Sequence, residues 1–159
     1  MIFVILGTQK FQLNRLLELM DEYVELGKIN EEIYAQIGHS TYIPKHYKYE
    51  RFLDKEKFDQ TVEKADLIVT HSGVASIIVA LNAKKPVIVY PRLSKYGEHI
   101  DNHQCEIADA FSEKNLVMCC YDDDDLYEKM IEARTHKFDT YVSHRSNIVN
   151  IIDNFLKEQ

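Results

Sequence analysis

The chain has 159 residues, 45% of them hydrophobic and 28% charged, which suits one compact soluble domain and excludes a disordered, collagenous or membrane-spanning chain. Nineteen Lys and Arg against 26 Asp and Glu leave a formal net charge of −7, which repels polyanions: nucleic acid is not expected as a partner, and the domain does not seek an anionic membrane by itself. The cysteines, Cys105, Cys119 and Cys120, fit neither a disulfide framework nor a CxxC metal site and suit a reducing compartment.

Residues 1–6 are apolar and lack a basic lead-in, so they read as a first strand rather than a signal peptide. After Gly7 and Thr8, Leu13, Leu16, Leu17, Met20, Tyr23 and Val24 recur at helical spacing. Residues 33–37 predict a second strand ending at Gly38, residues 47–52 a weaker third, and 55–63 a short helix. A buried strand is expected at 67–69 and an apolar helix at 74–81. Pro86 and Pro91 bracket a strand over 87–90, and a helix over 98–111 follows the loop through Gly97. Residues 115–120 form another apolar run, whose Cys119 and Cys120 point to opposite faces, and Asp122 to Asp125 cap the next helix. A last helix over 145–156 carries Ile148, Val149, Ile151, Ile152, Phe155 and Leu156 on an apolar face, suited to a partner or to packing back on the domain.

Strands alternate with helices from end to end, with no linker or repeat. The expected fold is α/β: a single Rossmann-like domain over residues 1–159, with a parallel sheet and helices on both faces. Ligands of such sheets sit at the carboxyl ends of the strands, near the switch in strand order. Gly7 with Thr8 there is either a phosphate-cradling turn or a structural one; neither GxGxxG nor a Walker sequence is present. Thr70-His71-Ser72-Gly73, with Ser76, gathers hydroxyls, a ring donor and a glycine at a helix start, which suits a diphosphate; the alternative makes Ser72 a helix cap and His71 a packing residue. Arg92 and Lys95 could meet a phosphate. Glu98, Asn102, His103 and Gln104 match the paired hydroxyls of a sugar or ribose. His99 and His103 would share a helical face, but Ile100 stands where a zincin has glutamate, so no metal is expected.

Phe3-Val4-Ile5-Leu6-Gly7-Thr8, Asn14-Arg15-Leu16-Leu17, Ile37-Gly38-His39-Ser40, Thr70-His71-Ser72-Gly73, Pro91 to His99 and Asp101-Asn102-His103-Gln104 together carry a resemblance over nearly the whole chain. It resembles the small donor-binding subunits of two-component bacterial exopolysaccharide glycosyltransferases, of the family 28 type, and is similar to the small subunit of the dolichol-linked N-acetylglucosamine transferase. Both correspond to the C-terminal half of the GT-B enzyme that makes lipid II.

The resemblance implies half of a GT-B fold that binds a UDP-sugar without a metal cofactor. Gly7, Thr8, His71, Ser72, Gly73 and Ser76 would lie at the diphosphate, and Asn102, His103 and Gln104 at the sugar. Inverting transfer to a lipid-linked saccharide acceptor, in exopolysaccharide or capsule synthesis, would need a membrane-anchored partner. That partner would supply the general base and hold the chain at the cytoplasmic face of the membrane. Two positions depart from the family pattern. Val79 stands where many GT-B enzymes have a ribose-binding carboxylate, leaving Glu98 or backbone for that task, and Ala75 stands where relatives often have glycine. The Val79 departure leaves open a nonenzymatic nucleotide-binding regulatory module.

Overall fold

Six short segments pair into one sheet in which every pairing is parallel. In this computed structural model, which describes residues 1–142, the strands are β1 (Ile2–Ile5), β2 (Ile33–Gln36), β3 (Lys48–Glu50), β4 (Leu67–Thr70), β5 (Val87–Val89) and β6 (Met118–Cys119). The helices are α1 (Asn14–Glu25), α2 (Lys55–Lys64), α3 (Val74–Asn82), α4 (His103–Glu113) and α5 (Leu126–Thr135). The segment expected to form a last helix, 145–156, lies outside the described residues.

The spatial order is β3-β2-β1-β4-β5-β6. The chain therefore builds outward from β1 on one side, then returns to β1 and builds outward on the other. The order reverses between β1 and β4, where Ile5 pairs with Thr70. This is the doubly wound arrangement, and the two strand ends that flank the reversal lead into Gly7 and His71.

Both faces of the sheet are covered, which explains why the central strands are apolar without alternation. Ile2, Val4 and Leu6 pack with Leu16, Leu17 and Met20 of α1 and Leu126 and Met130 of α5. Phe3 and Ile5 point the other way, onto Val62 of α2, Ile77 of α3 and Phe111 of α4. Cys119 and Cys120 fall into opposite cores, as their adjacency in an extended segment requires.

The segment after β5 departs from the sequence expectation. α4 begins at His103 rather than at residue 98, because Ser94–Tyr96 forms a short 3-10 turn ended by left-handed Gly97 (φ 67°). Asp101 then accepts the His103 N–H at 3.0 Å and starts the helix. His99 consequently lies before the helix and shares no helical face with His103. Both imidazoles turn to Asp101, at 3.1 and 3.3 Å.

The acidic run also divides its labour. Asp125 caps α5 through the Glu128 N–H, Asp124 accepts from the Tyr121 N–H, and Asp122 faces Lys95 and the Tyr96 hydroxyl.

Candidate functional site

The β1–β4 reversal brings Gly7, His71 and Gly73 into contact. Gly7 has a φ of +75°, and a Cβ built there would lie 2.5 Å from His71 Nε2; one on Gly73 would lie 2.3 Å from His71 Cε1. The imidazole is thus clamped between two glycines, and only residues without a Cβ leave it room. Left-handed Gly38 abuts the Gly7 carbonyl, where a Cβ would approach to 2.7 Å.

His71 is 5% exposed and its ring has two unlike sides. Nδ1 faces Arg92 Nη1 at 2.9 Å, whereas Nε2 has no hydrogen-bond partner. Burial, followed by the Arg92 charge, pulls its pKa from 6.5 down to about 3, so the ring is neutral at physiological pH. Ser72 beside it is fully buried, and its hydroxyl also lacks a partner.

The helix that follows is open. α3 has Gly73 as N-cap with no side-chain bond, so Ser72 does not cap it. Among the described residues no side chain accepts from the N–H groups of its first turn. A helix start with free N–H groups, a neutral ring donor and a buried hydroxyl favours an anion. Beside it a cleft is lined by Gly7, Thr8, Gln36, Leu53, Lys55, Phe58, Ala75, Ser76 and Val79. Thr8, Ser76 and Val79 therefore share one wall system with the glycine turn. Nothing local in the sequence marks Gln36 of β2, Leu53 in the loop before α2, or Lys55 and Phe58 of α2 as facing this cleft.

Three other expected site residues lie behind this surface. Arg92, 0% exposed, donates to the carbonyls of Leu6 (2.8 Å), Phe11 (3.1 Å) and Gln12 (3.3 Å) as well as facing His71. Four of its guanidinium contacts are thus spent inside the protein, and its charge is not presented to a phosphate in this conformation. Burial lowers its pKa to about 10, which leaves it charged near neutrality.

Glu98, 1% exposed, forms a two-pronged pair with Arg15 (3.0 and 3.1 Å) and accepts the Leu93 N–H at 2.9 Å. Its carboxylate is not free for a ribose. Arg15 lies between the rings of Tyr90 and Tyr96, 4.5 and 4.9 Å from their centroids, and so ties α1 to the loop after β5. Gln104, 6% exposed, accepts the backbone N–H groups of Arg92 (3.0 Å) and Ser72 (3.3 Å).

Asn102 and His103 stay nearer the surface. The Asn102 amide oxygen accepts from the Ser94 N–H at 3.0 Å and closes the loop. Lys95 is held by Asp122. Among the described residues no group of three or more His, Cys, Asp or Glu could hold a metal ion, and no helix is long and apolar enough to cross a membrane.

This architecture has known counterparts. The chain superposes on the NMR solution structure of ALG13 with a TM-score of 0.60 at 21% identity, covering 98% of this chain and 96% of that one. It superposes on the crystal structure of Acinetobacter baumannii MurG with a TM-score of 0.55 at 14% identity, covering 97% of this chain but 49% of that one. In sequence it is 28% identical over 128 residues to the human UDP-N-acetylglucosamine transferase subunit ALG13, matching 75% of this chain and 11% of the relative. It is 41% identical over 56 residues to the Saccharomyces cerevisiae subunit of that name, which is 35% of this chain and 26% of the relative. The alignments thus span about a tenth to a quarter of these relatives' lengths. The model of the glycosyltransferase family 28 C-terminal domain matches residues 1–156, and the chain belongs to that family.

Proposed function

We propose that this chain is the donor-binding subunit of a two-component glycosyltransferase, holding a UDP-sugar at the β1–β4 reversal. The observation that carries the proposal is the pair of buried, unpartnered donors, His71 Nε2 and Ser72 Oγ, beside the open start of α3. The family assignment supports the nucleotide-sugar class, and the curated relatives it matches are subunits of UDP-N-acetylglucosamine transferases.

The chemistry is displacement at the anomeric carbon. An acceptor hydroxyl oxygen forms the new bond, the bond from that carbon to the diphosphate oxygen breaks with inversion, and UDP leaves carrying the electron pair. Charge grows on the diphosphate oxygens as this bond breaks, so donors already fixed beside them stabilise the transition state more than the ground state. His71, Ser72 and the α3 N–H groups supply those donors; Gly7, Thr8 and Ser76 line the adjoining cleft. Asn102 and His103, at the start of α4, are the residues proposed for the sugar.

The hydroxyl proton needs a general base. We assign it to a membrane-anchored partner that binds a lipid-linked saccharide acceptor, since the chain superposes on 49% of the MurG chain and the described residues build one Rossmann-like sheet. Peripheral attachment at the inner membrane face follows from that partner, and exopolysaccharide or capsule assembly is the setting proposed for the pair.

The reading is tested by calorimetry of the isolated chain with UDP, and by transfer assays with and without a candidate membrane subunit. Micromolar UDP affinity, transfer only with the partner, and about tenfold weaker UDP binding by His71→Ala are expected. Folded protein without UDP affinity would sink the donor role. Val79, an apolar residue in the cleft beside α3, favours a second reading, a nonenzymatic nucleotide-binding regulatory module. That alternative predicts UDP binding but no transfer with any partner.

A further inference from the structure

The inner side of the His71 ring meets only hydrogen-bond donors. Arg92 Nη1 lies 2.9 Å from Nδ1, and a guanidinium has no acceptor to offer. Gln104 Nε2 lies 3.5 Å from the same atom. The orientation of that carboxamide is dictated from its other end. Its oxygen receives the backbone N–H groups of Arg92 and Ser72, which can only donate, so its NH2 must turn toward His71.

Nδ1 therefore accepts, and the single proton of the neutral ring must sit on Nε2, the atom with no partner in the protein. The glycine clamp fixes where that N–H is held, since Nε2 lies 2.5 and 2.7 Å from the Cβ positions absent at Gly7 and Gly73.

We propose that Arg92 and Gln104 are positioning residues that lock His71 in its Nε2–H tautomer, making it a permanent neutral donor to a diphosphate oxygen. The proposal rests on the donor-binding function above. It moves Arg92 and Gln104 from ligand contact to a supporting layer: neither touches the nucleotide, and each acts through the ring or the Ser72 backbone. It also leaves His71 unable to act as a general base, because the only lone pair on the ring is already engaged by Arg92.

A locked neutral tautomer has a functional consequence. An imidazolium would bind UDP more tightly through net charge but would hold the product as well as the transition state. A neutral donor aligned in advance costs no reorganisation when the bond breaks. The same arrangement couples the loop after β1 to the loop after β5. Arg92 reaches the carbonyls of Leu6, Phe11 and Gln12, so His71 is aimed by the segments that surround the site.

Two-bond 1H–15N correlation spectra of the ligand-free wild-type chain read the tautomer directly, without UDP. The Nε2–H pattern is expected; an Nδ1–H pattern or a mixture overturns the lock. With UDP added, the Nε2 proton should shift while Nδ1 remains unprotonated. If UDP fails to bind yet the ligand-free ring shows the Nε2–H form, the donor function fails and the lock stands as a structural feature.

Arg92→Met (R92M), checked for folding by its amide spectrum, should show both tautomers and about tenfold weaker UDP binding, while Arg92→Lys (R92K) restores most of each. A folded R92M with wild-type tautomer and affinity removes Arg92 from the role. Should R92M not fold, the wild-type spectrum alone decides the tautomer.

Discussion

Helices α2 and α5 begin closed and α3 begins open. Asp54 accepts the Lys57 N–H at 2.8 Å and Asp125 the Glu128 N–H at 3.2 Å, so α2 and α5 each satisfy one of their orphan donors with their own cap residue. α1 and α4 borrow acceptors from just upstream, with Gln12 taking the Asn14 N–H and Asp101 the His103 N–H. α3 alone among the described helices has no side chain at its start. Ser72, a residue type that caps well, is buried one position too early with its hydroxyl unbonded. The same fold thus caps α2 and α5 with side chains and leaves uncapped the helix start proposed to meet the diphosphate.

The largest effect on this contrast is expected from Gly7→Ala (G7A). The new methyl would meet the His71 ring at 2.5 Å, on a backbone whose φ of +75° already disfavours a side chain. Strain and overpacking together should destabilise the domain by about 2–4 kcal/mol and abolish UDP binding. A G7A protein with wild-type urea midpoint and affinity would show that the ring is not clamped at all.

The pH dependence of stability comes next. Folding depresses the His71 pKa from 6.5 to about 3, so between those values the unfolded chain binds a proton that the folded chain refuses. Stability contributed by this group is complete above pH 6.5 and falls as the pH drops through that window. The loss should reach about 2 kcal/mol by pH 5. Urea unfolding of wild type and His71→Ala at pH 8 and pH 5 measures it as a difference between the two proteins. Equal losses would mean that the ring titrates normally in the folded state.

The strands, and the crevice at their reversal where the candidate site lies, could be read from the sequence because they depend on local composition. Apolar runs ended by Gly7, Thr70 or Pro91 specify buried strands and their ends, and the carboxyl ends of such strands are where doubly wound sheets bind ligands. What could not be read is which polar residues face outward. Arg92, Glu98 and Gln104 have the composition of a binding edge, yet all three are buried. Their partners, Leu6, Arg15 and Ser72, lie from 32 to 86 residues away in sequence. No spacing rule reports such pairing. α4 starts at His103 instead of 98 for a more local reason, since Gly97 and Asp101 compete as helix signals and the structure uses the second.

A smaller and symmetric test compares the caps themselves. Asp54→Ala and Asp125→Ala each remove an acceptor from a closed helix start and should cost about 1 kcal/mol of stability, read from the urea midpoint, with no change in UDP affinity. If either weakened UDP binding instead, the closed helices would not be separable from the site.

The smallest stability effect is expected at Ser72, and it is the most diagnostic. A hydroxyl that caps its helix loses about 1 kcal/mol when truncated, as the two aspartates should. The Ser72 hydroxyl, fully buried without a partner, instead carries an unrecovered desolvation cost, so Ser72→Ala (S72A) should leave the urea midpoint unchanged or raise it slightly. UDP affinity should fall several-fold in the same protein, because the hydroxyl finds its partner only when the nucleotide is bound. Stability and binding then move in opposite directions, which a structural serine cannot produce. Loss of both together would identify Ser72 as an ordinary part of the scaffold and leave the open start of α3 to its backbone N–H groups and His71.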